Sequence, residues 1–297
     1  MYMLKNFIKY QSLGNDFIIF DWYKRPATFM QAELHGASWQ QFVQHLCNRH
    51  YGIGADGVLI ITTCPKEGLP EMLIFNADGT QAENCLNGAR CVAHYLFSTY
   101  TFPTKFNIKV GQRISECTIV TTPVPGTPLE IIMRVGKAII DEPTTIQTAQ
   151  GSFNGHRANV GNPHFIVFQE TTPDWLSQYG NLLESHQAFA KKTNVEFVWH
   201  DKTKKNLPSF NVLVYERGCG ITLSCSSGAA SITSVLAQQK LIAVNQKTTL
   251  LMQGGSLTTW IDTEGNISLQ AHAHMIFKGS FEEQTEAYKP LQTNNPQ

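Results

Sequence analysis

The chain has 297 residues and is 42% hydrophobic, enough to bury about three-quarters of the surface its unfolded form would expose, as one large or two medium domains. Lys plus Arg (23) balances Asp plus Glu (23), and charged residues make up only 15%. Without a basic patch to release phosphate counterions, the composition argues against nucleic-acid binding. Lys202 to Lys205 reads as a solvated loop.

No apolar run approaches the roughly 20 residues needed to span a bilayer, and Lys5 and Lys9 interrupt the first apolar segment. A soluble, cytoplasmic protein without membrane contact is expected. Taken in chain order, β-branched and aromatic runs predict strands at Phe17 to Phe20, Val58 to Thr62, Met72 to Phe75, Leu129 to Met133 and Phe165 to Phe168. Helical periodicity predicts helices over Gln40 to Cys47, Asn87 to Phe97, Leu182 to Ala190 and Gly228 to Gln239. Strand-rich stretches around single helices indicate the α+β class, not a regularly alternating parallel sheet. The turn cluster Pro123 to Pro128 and the strand after it put a boundary near Val135 to Lys137, and the polar tail beyond Phe281 is expected to be disordered.

Self-comparison is the most informative step. Gly14-Asn15-Asp16-Phe17-Ile18-Ile19-Phe20 resembles Gly161-Asn162-Pro163-His164-Phe165-Ile166-Val167-Phe168, with one residue inserted. Cys85-Leu86-Asn87-Gly88-Ala89 resembles Cys225-Ser226-Ser227-Gly228-Ala229. The order is kept and both offsets are close to half the chain. We therefore expect two pseudo-symmetric halves, each contributing one cysteine just before a helix.

Two motifs are set aside. Gly52-Ile53-Gly54-Ala55-Asp56-Gly57 matches a dinucleotide fingerprint by letter, but a helix precedes it and a strand follows, the reverse of what pyrophosphate binding needs. It reads as a tight turn. His272 and His274 lack the partners a metal needs, so no metal is implied. The seven cysteines are odd in number and contain no C-x-x-C pair, so they are expected to be reduced, with Cys91 and Cys219 structural.

Free amides and the positive end of a helix dipole lower a thiol's pKa and bind anions. Cys85 and Cys225 are thus expected to be activated. Brought together across a pseudo-twofold cleft, one thiolate can remove a proton from one face of a carbon while the other thiol protonates the opposite face.

These residues carry a family resemblance. Gly14 to Phe17, Gly52 to Gly57, Asn76-Ala77-Asp78-Gly79 with Cys85 following, Gly161 to His164, Asn194, and Glu216-Arg217-Gly218 with Cys225 following are similar to the diaminopimelate epimerases. The resemblance implies a cofactor-independent amino acid epimerase, a homodimer, whose halves are each a barrel-like mixed sheet around a central helix. It divides the chain into residues 1–135 plus 273–283, residues 136–272, and a tail at 284–297. It implies Cys85 and Cys225 as the acid/base pair, assisted by His164 and Glu216. Asn15, Asn76, Asn194 and Arg217 would hold the distal amino acid group of the substrate, with Leu86, Asn87, Asn162, Ser226 and Ser227 completing the site. Arg suits a carboxylate because its planar fork pairs bidentately. Leu86 and Ser226 stand where the family carries glycine, at equivalent positions of the repeat, and Ile221 replaces a family Glu. Leu86 and Ser226 suggest a cleft reshaped around the reacting carbon, and of the two forms this could take, side chains filling space beside an unchanged diaminopimelate pose is favoured over a pocket for a different amino acid. A racemase of another amino acid and a non-catalytic amino-acid-binding paralogue are the alternatives.

Overall fold

A computed structural model describes residues 6–24, 34, 37–64, 66, 68–82, 84–120, 127–203 and 208–281. Most of the Pro123 to Pro128 cluster, part of Lys202 to Lys205 and the tail at 284–297 lie outside the described residues. The first half of the chain runs β1 (Asn6–Ser12), β2 (Asn15–Asp21), α1 (Ala37–Cys47), β3 (Gly57–Thr63), β4 (Pro70–Asn76), β5 (Gln81–Ala82), α2 (Leu86–Tyr100), β6 (Lys105–Val110), β7 (Arg113–Ile119) and β8 (Leu129–Gly136). After β9 (Ile139–Ile140) and β10 (Thr144–Thr148) the same order returns. It comprises β11 (Gly151–Asn159), β12 (Pro163–Val167), α3 (Pro173–Glu184), β13 (Asn194–His200), β14 (Ser209–Glu216), β15 (Gly220–Thr222), α4 (Ser226–Gln238), β16 (Thr248–Met252), β17 (Gly255–Ile261) and β18 (Ile267–Ser280).

The pairing repeats with the order. β2 is antiparallel to β1 and parallel to β3, and β4 is antiparallel to β3 and parallel to β6. The same signs relate β12 to β11 and β13, and β14 to β13 and β16. Two long strands close both rings. The Ile267 to Ala273 portion of β18 pairs with β8, whereas its His274 to Ser280 portion pairs with β1. The second ring closes through β17 on β18 and through β9, just beyond β8, on β11. The fold is α+β, with two pseudo-symmetric barrel-like mixed sheets, each around a central helix.

Burial explains why α2 and α4 lack a clean apolar stripe, since a helix enclosed by a sheet is covered on every side. Residues Leu86 to Leu96 of α2 are all buried. β3 reads as a continuous apolar run for a related reason: a strand in a sheet covered on both faces has no wet side. Leu59 and Ile61 face α2, while Val58 and Ile60 pack with Trp39, Val43 and Leu46 of α1. β8, in contrast, alternates strictly, with Leu129, Ile131, Met133 and Val135 inward.

One predicted helix is misplaced. The expected helix over Leu182 to Ala190 is instead α3, ending at Glu184. Thr172 caps it, its hydroxyl accepting from the Trp175 amide at 3.2 Å, and Pro173 supplies a preset φ at the first position. The apolar residues Leu182, Leu183 and Phe189 imitate a helical period across what is a run of turns. No helix among the described residues is long and apolar enough to cross a membrane.

Candidate active site

Each cysteine of the repeat is the N-cap of its central helix, in extended backbone. Cys85 accepts from the Gly88 amide and Cys225 from the Gly228 amide, both at 3.3 Å. A side-chain acceptor at this position satisfies one of the orphan amides of the first turn. Cys85 is half-buried and Cys225 is buried.

The flanking amides follow the repeat. The Cys85 thiol points to Asn15 Oδ1 at 3.9 Å, which Asn87 Nδ2 also approaches at 3.4 Å. In the other half Cys225 Sγ lies 3.3 Å from Ser227 Oγ, which accepts from Asn162 Nδ2 at 3.2 Å. Asn15 is oriented in turn by Asp56, whose Oδ2 accepts its Nδ2 at 2.7 Å, and Asp56 is held by Arg49. The Gly52 to Gly57 motif is a turn between α1 and β3, and its service to the site is to present Asp56.

The walls behind the two thiols differ. His164 on β12 and Glu196 on β13 are joined Nδ1 to Oε1 at 2.6 Å with both side chains fully buried. One donor atom each from His164, Glu196 and Cys225 falls within 4.8 Å of the others. Glu216, at the end of β14, accepts from the Thr222 hydroxyl at 2.6 Å. Burial raises its pKa above the ordinary carboxylate range, and Glu196 raises it further, against the hydrogen bond from Thr222.

The thiols are not activated in the free site. Burial pushes Cys85 up to about 11, opposed by the Gly88 amide and by Arg90, while Glu216 adds to the rise. Burial and the carboxylates of Glu216 and Glu196 hold Cys225 well above the ordinary thiol value. The expected lowering by the helix ends is present but is outweighed by desolvation, a tertiary effect. Glu216 acts on both sulfurs, which ties the two cysteines to one electrostatic environment. Cys91 is buried within α2, as expected of a structural thiol, but Cys219 is exposed in the turn after Glu216.

Leu86 and Ser226 point into the seam between the halves. Leu86, on α2 of the first half, is 3% exposed and packs in the apolar cluster around α4. Ser226 donates to Asn87 Oδ1 at 2.6 Å and accepts from Arg90 Nη2 at 2.8 Å. Arg90, fully buried, also reaches Ser12 Oγ at 2.9 Å and bonds Asn87 Oδ1. Asn87 Nδ2 crosses back to Ser224 Oγ at 3.1 Å, and Ser224 holds the Leu13 carbonyl. A polar network thus ties the first turn of α2 to the first turn of α4. Ile221 on β15 packs against the apolar cluster that includes Leu176 and Leu183 of α3.

Of the remaining expected site residues, Asn194 and Arg217 are joined, and Asn76 is not linked to them among the described residues. Asn194 gives both ends of its amide to the chain, Nδ2 to the Pro163 carbonyl at 2.8 Å and Oδ1 to the Arg217 amide at 3.0 Å. Arg217 is exposed, with Nη1 3.3 Å from the Lys191 carbonyl. Its loop is anchored by buried Glu184, which accepts from the Gly218 amide and from Lys192. Asn76 stands exposed at the end of β4 with Nδ2 on Thr80. Glu196, Arg90 and Asp56 were not singled out from the sequence. A lone Glu in the apolar run Val195 to Val198 and a lone Arg within Gly-Ala-Arg-Cys were the available signals.

Comparison with known proteins agrees in both sequence and fold. The family profile described as diaminopimelate epimerase matches residues 7–138 and 157–275. A diaminopimelate epimerase of Prochlorococcus marinus (strain NATL1A) is 34% identical, covering 94% of this chain and 100% of the relative. One from Carboxydothermus hydrogenoformans is 32% identical, covering 93% and 98%. Among solved structures, a probable proline racemase from Agrobacterium radiobacter K84 aligns with a TM-score of 0.74 at 10% identity, covering 94% of this chain and 93% of that one. A hydroxyproline epimerase from Agrobacterium vitis with bound trans-4-OH-L-proline aligns with a TM-score of 0.73 at 10% identity, with the same coverage. At that identity the likeness is one of fold.

Proposed function

Since the chain belongs to the diaminopimelate epimerase family, we propose that it interconverts LL- and meso-2,6-diaminopimelate, with Cys85 and Cys225 as the two proton-transferring groups. The observation that carries this reading is the pair of thiols, each capping a buried helix in its own half and both within the field of Glu216. One sulfur, as thiolate, takes the α-proton: the C–H bond breaks, an S–H bond forms and the electron pair stays on carbon. The opposite S–H then breaks and its proton joins the other face, so the centre inverts and the two cysteines have exchanged protonation states. Burial, which disfavours the thiolate in the free site, favours proton transfer once a substrate ammonium and carboxylate fill the cleft.

On this reading the first-turn amides of α2 and α4, those of Leu86, Asn87, Ser226 and Ser227, receive the α-carboxylate. His164 and Glu216 assist the thiols, Asn162 orients Ser227 beside Cys225, and Asn15, expected on the distal group, is read instead as a contact beside Cys85 because its Oδ1 faces that thiol. Arg217, on a loop held by Asn194 and Glu184, would take the distal carboxylate, and Asn76 is read as a further distal contact. The reaction so drawn needs no cofactor. We further infer action in the cytoplasm, in lysine biosynthesis, as a homodimer, with residues 1–135 plus 273–283 carrying Cys85 and 136–272 carrying Cys225.

The test is deuterium exchange from heavy water into the α-position. LL-diaminopimelate should exchange with the wild type and fail to exchange with folded Cys85→Ala or Cys225→Ala. Exchange into another amino acid but not diaminopimelate would reassign the substrate. Exchange into none would leave a binding protein.

A further inference from the structure

The repeat makes Cys85 and Cys225 equivalent, but strand register shows that their surroundings are not. Phe17 pairs with Gly57 and Ile18 with Val58 across β2 and β3, as His164 pairs with Asn194 and Phe165 with Val195 across β12 and β13. His164 therefore stands where the first half has Phe17, and Glu196 where it has Leu59. Both positions lie under the first helical turn. A Cβ added at Gly88 would meet Leu59 at 3.1 Å, and one added at Gly228 would meet Glu196 Oε1 at 2.5 Å. Glycine at 228 is thus what admits a carboxylate beside the Cys225 cap.

The pair is self-contained. Glu196 Oε1 engages His164 Nδ1, whereas His164 Nε2 and Glu196 Oε2 are buried without a partner. The other groups facing Cys225 are Glu216 from β14 and, from α4, the Ser227 hydroxyl and the Gly228 amide. Facing Cys85 are the Gly88 amide, Glu216, Arg90 and the Asn87 amide, in falling order of effect, with no counterpart of Glu196 among the described residues. The Glu196 carboxylate adds negative charge near a sulfur that already faces Glu216, which disfavours a further negative charge there, so the proton stays on sulfur.

We propose that Glu196, fixed in place by its bond to His164, is the group that holds Cys225 in its thiol form while Cys85, on an apolar wall beside Arg90, is the sulfur that ionises first. The resting site then has a preset proton donor and a preset acceptor. This deepens the two-thiol reading of the site and rests on it for its catalytic meaning, but the protonation claim is measurable without any substrate.

The experiment is site-resolved alkylation with iodoacetamide as a function of pH, each cysteine followed by peptide mass spectrometry and compared by the midpoint of its pH profile. In the wild type Cys85 should reach its midpoint at lower pH than Cys225. Glu196→Gln should bring the Cys225 midpoint down, making its alkylation about tenfold faster at a pH below the midpoint, with Cys85 unmoved. The double variant His164→Phe, Glu196→Leu copies the first-half wall and guards against a loss of folding in the single one. It should move the Cys225 profile towards that of Cys85. An unmoved Cys225 midpoint in a folded variant, or equal movement of both cysteines, overturns the proposal. Absence of diaminopimelate turnover in the wild type would refute the functional reading and leave this comparison decisive on its own terms.

Discussion

Replacing Arg90 by Met sets two large effects of opposite sign against each other. The guanidinium is fully buried, and burial pushes its pKa down from 12.5 to about 10, against the attraction of Cys91 and Cys85. At about 1.36 kcal/mol per pH unit, keeping the charge at neutral pH costs about 3 kcal/mol. Against this stand hydrogen bonds from a charged donor to Ser12, Asn87 and Ser226, worth about 1.5 to 3 kcal/mol each. Three such bonds contribute at least about 4.5 kcal/mol, so attraction exceeds cost. Arg90→Met should therefore lower the unfolding free energy by at least about 1 kcal/mol, read as a fall in the urea midpoint at constant slope. It also unties the first turns of α2 and α4, and misplacement by about 1 Å costs on the order of 100-fold in rate. Arg90→Lys, a point charge without the fork, should recover part of the stability and little of the rate. An Arg90→Met protein as stable and as active as wild type would mean that desolvation cancels what the network contributes, and a more stable one that desolvation dominates.

Leu86→Ala should cost about 2 to 5 kcal/mol, because the side chain is buried in the opposite half's core, and thermal unfolding will show whether it does. Leu86→Gly and Ser226→Gly should lower stability without changing the ratio of kcat/KM between diaminopimelate and other amino acids. A changed ratio would put these side chains in the pocket after all. Arg217→Ala should reduce kcat/KM for diaminopimelate by roughly 10- to 150-fold, whereas an equal loss on a substrate without the distal carboxylate would assign Arg217 to the fold. Burial alone would raise the Asp16 carboxyl, but hydrogen bonds from Arg49 and Lys9 hold it below 3.8. Its stabilising contribution is thus complete above 3.8 and lost as pH falls through the depressed folded value. Asp16→Asn should be less stable than wild type at neutral pH, and acid-unfolding curves that fail to converge below 3.8 would contradict this.

The readable parts of this chain were the local ones. An N-cap needs only its own turn, so Cys85 and Cys225 declared their helices, and the kept order of motifs exposed the duplication before any strand was paired. The Gly52 to Gly57 turn was legible because its flanking elements are wrong for a nucleotide. Legibility failed where distant segments meet. Helix α3 is set by the Thr172 cap and by which leucines the sheet covers, and the latter is invisible in a periodicity that continues past Glu184. Thiol acidity was misjudged because the helix end is a local term and desolvation depends on the whole enclosure. Ser226 looked like a change in the cleft, yet its hydroxyl bonds to Asn87 and Arg90 of the other half.

The sharing of β18 between the two rings constrains how the chain can be made. Its last residues, His274 to Ser280, lie against β1, whose Asn6 pairs with Ser280. The first ring consequently cannot close until residues as far as Ser280 have left the ribosome, although α2 and most of its strands emerged long before. Closing so long a loop is slow, and until it happens β1 and β8 each present an unpaired edge. The half that carries Cys85 is the first to be synthesised and the last to be completed, so its exposed edges during synthesis are where chaperones would find this protein and where aggregation would begin.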